Sequence, residues 1–338
     1  MYNIWVTAIT APIIPRFPQL RPLNIVRDLP RVADLVEKCF ADTMDEEGRN
    51  YIQQIRRAGQ DNVFLRWASN AVETVSMPLS GYVWEENGEI IGNVSVIPHR
   101  QARKKYYLIA NVAVRPEFRN RGIGRELTLS AVQHASQHHA DEIWLQVRDD
   151  NPSAIKLYRG LGFEEQARRT TWQTHPDRNA KSMDFPINIT RRFSSDWPLQ
   201  EGWLRQLYPE LLSWYQPIPW NSLRPGLFPA IYRFFSDDDV RQWAARTGIL
   251  PSAVVSWQAM AGGNNRLWVA IPPGGNGEIL TVLLQHTRRE LFLHEKILFD
   301  FPAGEYNEAI KAGGFHPLRT LLWMKVGETL QDETRKSI

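Results

Sequence analysis

One pattern of residues occurs twice along this chain at an almost constant spacing. An apolar strand, a glycine-containing loop, an amphipathic helix, a further strand and a helix that ends in Gly-Phe follow one another in each half. Gly277 follows Gly124 by 153 positions. Phe315 follows Phe163 by 152 positions, so the two copies share one register. Because self-similarity at a fixed period is typical of repeated structural units, we expect two copies of one α/β fold in tandem.

The composition agrees with two globular domains and excludes several classes of protein. The chain has 338 residues, whereas one domain has roughly 100–200. Forty Lys and Arg against 37 Asp and Glu give a formal net charge of +3, which is low for a dedicated nucleic-acid binder. No apolar run reaches the ~18–20 residues of a membrane span, and no signal-peptide pattern opens the chain. Cys39 is the single cysteine, which excludes an internal disulfide framework and a Cys-rich zinc site. We expect a cytoplasmic protein without nucleic-acid or membrane partners.

The pattern of elements divides the chain into three segments. Residues 1–18, with three prolines, are predicted to form an N-terminal arm. Residues 19–190 alternate predicted strands and helices, with a hairpin turn at Asn87-Gly88. Residues 191–338 form the second copy, and seven of the thirteen tryptophans lie between positions 197 and 268. We interpret these tryptophans as an aromatic-rich core rather than a ligand-stacking surface, because large aromatic residues usually supply buried area.

The loop before the long helix of the first copy has the composition of an anion site. The helix is predicted to begin near Ile123, within a stretch that contains Gly122 and Gly124. The first N–H groups of a helix have no intrahelical partners and its dipole favours negative charge, so such a loop binds phosphate. Three arginines add cationic groups: Arg119, Arg121 and Arg125. By itself the loop indicates only an anion at a helix N-terminus, since it lacks the Gly-Lys-Ser/Thr of a Walker loop and the third glycine of a dinucleotide fingerprint.

This loop and the helix after the next strand together resemble the GNAT superfamily of acyl-CoA-dependent N-acyltransferases. Residues 119–124, Arg-Asn-Arg-Gly-Ile-Gly, are similar to that family's Arg/Gln-x-x-Gly-x-Gly/Ala pyrophosphate loop. Residues 151–163, Asn-Pro-Ser-Ala-Ile-Lys-Leu-Tyr-Arg-Gly-Leu-Gly-Phe, are similar to its Asn-x-x-Ala-x-x-x-Tyr-x-x-x-Gly-Phe helix. The opening Leu20-Arg21-Pro22 looks like its first strand. The resemblance covers about residues 19–190 and implies a mixed α/β fold with two tandem GNAT-like domains.

The resemblance also implies an activity and a set of site residues. The implied reaction is direct transfer of an acetyl group from acetyl-CoA, or another acyl-CoA, to an amine, with no metal. A backbone N–H near Val112 is implied to polarise the thioester carbonyl, Asn151 to bond the cofactor arm, and Tyr158 to protonate the departing thiolate. The implied cofactor-binding residues are Val112, Ala113, Val114, Arg119, Asn120, Arg121, Gly122, Ile123, Gly124, Arg125 and Asn151.

Two departures from the family pattern bear on catalysis. Many members carry a glutamate base at the start of the strand before the loop, and the corresponding residue here is Leu108. The base is not assigned. The alternatives for deprotonation are a water chain, an acceptor amine of low pKa, and the side chains of Glu85, Glu86, His99, Tyr106 and Tyr107. In the second copy, the Asn and Tyr positions hold Ala303 and Ile310, and the loop has no arginine. We therefore expect catalysis in the first copy, with the second copy degenerate and shaping the acceptor pocket or an interface.

Several questions stay open at this point. We expect the acceptor to be a small-molecule or peptide amine. Its identity, the acyl-chain length, the binding of CoA by the second copy and the oligomeric state, a homodimer included, are not fixed by the sequence. A second interpretation is a non-catalytic acyl-CoA sensor or interaction protein, which would bind the cofactor without needing Tyr158. His134 and His138 lie four residues apart on the predicted helix. We expect them on a solvated face, because no carboxylate is spaced to complete a metal site with them.

Overall fold

The chain folds into two compact units. The computed structural model describes residues 17–60, 79–180, 183–226, 239–259 and 265–327. Of the described residues, unit 1 holds 17–60, 79–99 and 103–143, and unit 2 holds 100–102, 144–180, 183–226, 239–259 and 265–327. Of the predicted N-terminal arm, only Phe17 and Pro18 fall within the described residues. No described helix is both long enough and apolar enough to cross a bilayer.

Unit 1 places helices around a sheet with the strand order β1-β2-β3-β4. Its elements are β1 (Leu20–Pro22), α1 (Ile25–Phe40), α2 (Glu46–Gln60), β2 (Ser80–Glu86), β3 (Glu89–Gln101), β4 (Lys104–Val114) and α3 (Ile123–Gln137). Strand β2 pairs antiparallel with β1 and β3. The predicted hairpin turn is confirmed, because Asn87 and Gly88 both adopt positive φ, at 50° and 77°, between the paired residues Glu86 and Glu89.

Helix α1 shows how the sequence builds the core of unit 1. Its N-cap, Asn24, accepts hydrogen bonds from the amides of Val26 and Arg27, which satisfies two donors that lack intrahelical partners. Apolar residues at three- and four-residue spacing place one face of the helix in the core. This face packs with α2 and the sheet through Leu29, Val32, Ala33, Val36, Ile52, Ile55 and Ala113.

Unit 2 contains a larger sheet, in which the strand order is β5-β12-β6-β11-β10-β9-β8-β7. Its strands are β5 (Glu142–Arg148, which begins at the end of unit 1), β6 (Phe163–Thr174), β7 (Asn188–Arg191), β8 (Val240–Arg246), β9 (Pro251–Gln258), β10 (Asn265–Ala270), β11 (Ile297–Pro302) and β12 (His316–Val326). Its helices are α4 (Pro152–Gly160), α5 (Trp197–Leu207), α6 (Trp220–Leu223), α7 (Gly277–Glu290) and α8 (Asn307–Ala312). Strands β10 and β11 are parallel, and helix α7 connects them.

The predicted duplication is confirmed by the order of the described elements. A strand, two helices, three strands, a helix, a strand, a helix and a final strand occur from β1 to β6 and again from β7 to β12. The compact units do not follow these copies, because β6 pairs antiparallel with both β11 and β12. The last strand of the first copy thus lies between the last two strands of the second. The boundary at residue 190 therefore stays a prediction about the repeat, whereas the compact units divide within β5.

The tryptophans of the second copy lie in the interior or partly so, as predicted. Trp214, Trp243 and Trp257 are buried, and Trp257 is 0% exposed. The other four are half-buried: Trp197, Trp203, Trp220 and Trp268. Trp243 and Trp257 belong to one core with the aromatic residues Trp172, Phe299, Phe301 and Phe315. Trp214, Trp243 and Trp257 thus supply buried aromatic area, as predicted.

The histidines of α3 do not lie on a solvated face, so that prediction is wrong. The rings of His134 and His138 stack on each other with centroids 4.3 Å apart. Nδ1 of His134 lies 3.5 Å from the Tyr82 hydroxyl, and the Tyr107 ring packs edge-on at 6.4 Å. The sequence spacing alone did not show that aromatic residues cover this face of the helix. Among the described residues, no group of three or more His, Cys, Asp or Glu side chains is placed to hold a metal ion.

We expect the free energy of unfolding to fall as the pH drops from about 6.5 to about 4. Burial, and then the neighbouring His138, lower the pKa of His134 to about 4, whereas an unfolded histidine titrates near 6.5. Because the unfolded chain binds the proton first, folding loses up to about 3 kcal/mol across this window and no more below it. Urea midpoints measured from pH 7.5 to 4 should show a shallower slope in His134→Gln than in the wild type. Equal slopes would contradict the assignment.

Candidate active site

Strand β4 bends immediately before the residues that the family resemblance assigns to the cofactor arm. Asn111 has φ 51°, a left-handed conformation that is uncommon in the interior of a strand. Before this residue, the four side chains from Tyr106 to Ile109 are all buried, so both faces of that part of the strand are covered. Ala113 is buried, and Val112 and Val114 are half-buried. The strand therefore presents the peptide group before Val112 in a different direction from its neighbours.

The loop between β4 and α3 ends in an open helix N-terminus. A short 3₁₀ helix, Pro116–Phe118, leads to Asn120 and Gly122, which have φ 62° and 81°. Gly122 is the N-cap of α3, and no side chain in the described part of the chain caps its first turn. A Cβ at Gly122 would meet no atom within 4 Å, so its left-handed conformation, rather than lack of space, favours glycine. The first amides of α3 are therefore left uncapped, and the binding of an anion to them stays a prediction.

The three arginines of the loop have different surroundings. Arg119 Nε donates to the carbonyl of Val114 at 3.1 Å and so ties the loop to the end of β4. Arg121 lies over the Phe118 ring and reaches Glu86 at 3.3 Å, and Arg125 reaches Glu126 at 3.2 Å. The side chains of Arg121 and Arg125 are each 52% exposed. Because exposed ion pairs contribute little, these two guanidinium groups are available to an anion at the helix terminus.

Asn151 begins helix α4 in unit 2. Its Oδ1 accepts hydrogen bonds from the Ala154 amide at 3.1 Å and the Ser153 hydroxyl at 2.9 Å, so it caps the helix. The capping role occupies the side-chain oxygen. The remaining group, the Nδ2 amide, is a donor, and a donor is what the carbonyl groups of a pantetheine arm require.

Tyr158 lies two turns along the same helix and is 6% exposed. Its ring packs edge-on against Phe163, the aromatic residue of the Gly-Phe corner, at 6.0 Å. Burial raises the pKa of the Tyr158 hydroxyl above its ordinary value, and no hydrogen bond from the described residues offsets this. The hydroxyl is therefore protonated at neutral pH and retains its proton as a donor.

The candidate residues for the general base have different surroundings in the structure. Arg21 approaches Glu85 at 2.6 Å and lowers the pKa of that carboxyl, with Arg27 and Arg31 adding to the effect. Glu86 accepts from the Trp84 indole at 3.0 Å. Burial lowers the pKa of His99, while Tyr106 and Tyr107 are buried, as is Leu108 at the position of the family's glutamate. Glu85 is the least suited of the set, because its carboxylate is held in ion pairs.

The corresponding loop of the second copy is closed by its own residues. Pro272 and Pro273 have no N–H to offer an anion. Asn276 caps helix α7 by accepting from the Glu278 amide at 2.8 Å. Tyr306 donates to the carbonyl of Pro272 at 3.2 Å. The open helix terminus of the first copy therefore has no equivalent in the second.

The gap between the parallel strands of the second copy is also filled. Strands β10 and β11 pair only at Asn265–Ile297 and Arg266–Leu298 within the described residues, and then diverge. The Val269 amide donates to the Tyr208 hydroxyl at 3.1 Å. The buried guanidinium of Arg169 lies over the Tyr208 ring at 4.9 Å and donates to the carbonyl of Asp300, on β11, at 3.0 Å. These two side chains link the diverging strands and occupy one backbone group of each, the Val269 N–H and the Asp300 carbonyl.

A polar cluster beside the bend of β4 was not predicted from the sequence. It consists of Tyr51, Asn93, Ser95 and Asn111, which α2, β3 and β4 bring together in unit 1. A signal was present, because Asn93 and Ser95 interrupt a run of apolar residues in β3 and are 0% and 1% exposed. Buried polar groups in a strand require hydrogen-bond partners, and these partners come from distant segments of the chain.

Comparison with known proteins assigns part of the chain to a family. Residues 40–163 match the model of the acetyltransferase (GNAT) family. A mycothiol acetyltransferase of Thermobispora bispora is 29% identical over 160 residues, which are 46% of this chain and 50% of that protein. A [ribosomal protein bS18]-alanine N-acetyltransferase of Salmonella typhimurium is 37% identical over 83 residues, 23% of this chain and 55% of that protein. The chain thus spans about half the length of these curated relatives.

A solved structure resembles almost the whole chain. A GCN5-related N-acetyltransferase from Sphaerobacter thermophilus superimposes with a TM-score of 0.54 over 91% of this chain and 95% of that one. The two sequences are 14% identical, so this likeness concerns the fold alone.

Proposed function

We propose that this chain, of which residues 40–163 match the acetyltransferase (GNAT) family, is an N-acetyltransferase that moves an acetyl group from acetyl-CoA directly to an amine. The observation that carries the proposal is the uncapped N-terminus of α3 behind Gly122. Its amides, the left-handed glycine and the exposed arginines fit a pyrophosphate group. The fold alone does not determine the reaction, so the loop and the residues around it carry the argument.

Each assigned residue has a role that suits its surroundings. The amides of residues 120–125, with Arg121 and Arg125, bind the pyrophosphate of the cofactor. The backbone of residues 112–114 and the Asn151 amide bind its arm. The Val112 N–H faces the thioester oxygen, where negative charge develops as the amine attacks. Acetyl-CoA supplies the activated acyl group, and this chain supplies binding, orientation and the proton donor.

The proton balance of the proposed transfer is simple. The neutral amine nitrogen attacks the thioester carbon, so a C–N bond forms and the C–S bond breaks. The amine loses one proton to a base that is left open among the groups described above. The departing thiolate takes one proton from the Tyr158 hydroxyl, which solvent then restores. Because the amine must be uncharged and aligned, positioning contributes much of the rate.

We assign catalysis to the first copy, residues 19–190, and a degenerate role to the second, residues 191–338. The support is the contrast between the open terminus of α3 and the capped terminus of α7, whose cap Asn276 is satisfied within its own loop. Ile310 at the tyrosine position removes the proton donor as well. The second copy is left to shape the acceptor pocket or an interface.

The acceptor is proposed to be an amine of a small molecule or a peptide. One relative is named for a ribosomal-protein alanine and another for mycothiol, so the test uses both kinds of acceptor. The wild-type protein is mixed with acetyl-CoA and, in turn, peptides with different N-terminal residues, alanine included, and a panel of small primary amines. Release of free CoA thiol is measured with a chromogenic disulfide, and acetylated product by mass spectrometry.

Each outcome of this test separates the enzyme from the sensor. Product formation that disappears in Gly124→Trp, in which the loop is blocked, supports the proposed enzyme. Cofactor binding by calorimetry without product for any amine, and with no effect of Tyr158→Phe on binding, favours a non-catalytic acyl-CoA sensor. Absence of binding at millimolar acetyl-CoA would overturn both.

A further inference from the structure

The polar cluster of unit 1 is built around one peptide group of β4. Asn93 Nδ2 donates to the carbonyl oxygen of Asn111 at 3.0 Å. The Asn111 side chain donates in turn to the Tyr51 hydroxyl at 2.8 Å and to Ser95 Oγ at 3.2 Å. Helix α2 and strand β3 therefore hold both the main chain and the side chain of the residue at which β4 bends.

The carbonyl that Asn93 binds belongs to the same peptide group as the Val112 N–H. A trans peptide is planar, with its C=O and N–H pointing in opposite directions. Fixing the Asn111 oxygen therefore fixes the direction of the Val112 N–H. A hydrogen bond on the carbonyl also polarises the amide, which makes its N–H a stronger donor.

The left-handed conformation of Asn111 needs such support. A non-glycine residue in this region is less stable than one in an extended strand by roughly 1–2 kcal/mol. Asn tolerates the region better than most residues, because its short side chain hydrogen-bonds locally. In the described residues of the second copy, by contrast, β10 (Asn265–Ala270) has no residue of positive φ. The bend is thus a property of the copy to which we assign catalysis.

We propose that Asn93 is a positioning residue that aims the Val112 N–H at the thioester oxygen, with Tyr51 and Ser95 holding Asn111 in its bent conformation. This inference rests on the proposed acetyltransferase function. Asn93 touches no reacting atom, since it acts through the peptide group between Asn111 and Val112. Its effect should fall on the transition state, where charge develops on the oxygen, and not on cofactor binding.

Asn93→Leu removes the donor to the Asn111 carbonyl and is the central variant. We expect kcat to fall by about 10- to 100-fold, below or near the effect of losing an oxyanion donor outright. The dissociation constant of acetyl-CoA, measured by calorimetry, should stay within about threefold of the wild type, because the loop amides are untouched. The amide resonance of Val112 should shift in the ¹⁵N spectrum of the variant even without substrate.

The second copy offers a matched control. Gln200 is 0% exposed and donates to Ser256 at 2.8 Å. Its side-chain oxygen, like that of Asn93, is buried without a hydrogen-bond partner among the described residues. Gln200→Leu therefore removes a comparable buried amide, and we expect it to change the melting temperature without changing kcat. A fall of kcat in both variants in proportion to their loss of stability would overturn the proposal.

Two substitutions at position 111 distinguish the effect of the bent backbone from the effect of the asparagine side chain. Asn111→Gly accepts a positive φ, whereas Asn111→Val disfavours it strongly. We expect the glycine variant to keep more than about a tenth of the wild-type kcat. The kcat of the valine variant should be at least about tenfold lower than that of the glycine variant. If both variants of Asn111 and Asn93→Leu keep full kcat in an active wild-type background, the positioning role is wrong while the acetyltransferase stands. If the wild type neither binds acetyl-CoA nor acetylates any amine, the proposed function fails and this inference fails with it.

Discussion

Tyr158→Phe lowers kcat by at least about 10²-fold in the expected result, while the affinity for acetyl-CoA hardly changes. General acid catalysis by a positioned side chain typically contributes about 10²- to 10⁴-fold. The substitution removes one oxygen atom and leaves the buried ring, its packing on Phe163 and helix α4 in place. The loss should therefore appear in the chemical step, measured as kcat at saturating acetyl-CoA and acceptor.

The pH profile gives this prediction a second readout. Burial raises the pKa of Tyr158, so the hydroxyl keeps its proton above the pH at which an exposed tyrosine, with a pKa of about 10, begins to lose it. We expect kcat to depend on pH in the same way in the wild type and in Tyr158→Phe between pH 8 and pH 9.5, with no decline confined to the wild type. A basic limb confined to the wild type would mean that the hydroxyl titrates within this range.

Tyr82→Phe is the control for the loss of a buried hydroxyl. Tyr82 is 7% exposed, and burial raises its pKa as well, but its hydroxyl faces His134. We expect this variant to change stability and to leave kcat within about twofold. If Tyr158→Phe also kept kcat within about threefold, Tyr158 would not be the proton donor, and solvent would protonate the thiolate.

Several local conformations around the candidate site were predictable because their determinants are local in the sequence. The hairpin at Asn87-Gly88 and the glycine-marked start of α3 depend on a few neighbouring residues, whose φ preferences are strong. The loop of the second copy could also be recognised as altered, because Pro272-Pro273 has no N–H groups. In each case a short stretch of chain decides its own conformation.

The rest depends on contacts between distant residues, for which the sequence has no local signal. The pairing of β6 with β11 and β12 follows from the completed sheet of unit 2, so the compact units cut across the repeat. Asn93 and Asn111 are separated by 18 positions, and Tyr208 and Val269 by 61. A buried amide or hydroxyl requires a hydrogen-bond partner, but only the folded structure shows which residue supplies it.

Because the gap between β10 and β11 of the second copy is filled, we expect each chain to bind one acetyl-CoA. Tyr208 and Arg169 occupy the Val269 N–H of β10 and the Asp300 carbonyl of β11. Burial raises the pKa of Tyr208 to about 12, so its hydroxyl stays neutral beside the guanidinium. An incoming acyl chain would have to break these buried hydrogen bonds, each of which leaves an unsatisfied group when lost.

Two glycines test this stoichiometry as a matched pair. Gly122 and Gly274 have φ 81° and 67°, lie in the corresponding loops of the two copies, and would each place a Cβ in open space. A valine in the left-handed region is unfavourable by about 1–2 kcal/mol or more. Gly122→Val should therefore move the loop and weaken acetyl-CoA binding by at least about tenfold, because 1.4 kcal/mol corresponds to tenfold in affinity. Gly274→Val should leave the affinity unchanged.

Calorimetry of the wild type and both variants then locates the cofactor. One site per chain, weakened by Gly122→Val and unaffected by Gly274→Val, is the expected result. Because both variants impose the same backbone strain, a similar fall of their melting temperatures rules out a general loss of structure as the cause. Two sites in the wild type, one of them sensitive to Gly274→Val, would show that the second copy binds acetyl-CoA despite Tyr208 and its capped helix. Equal weakening by both substitutions would contradict the assignment of the site to the first copy.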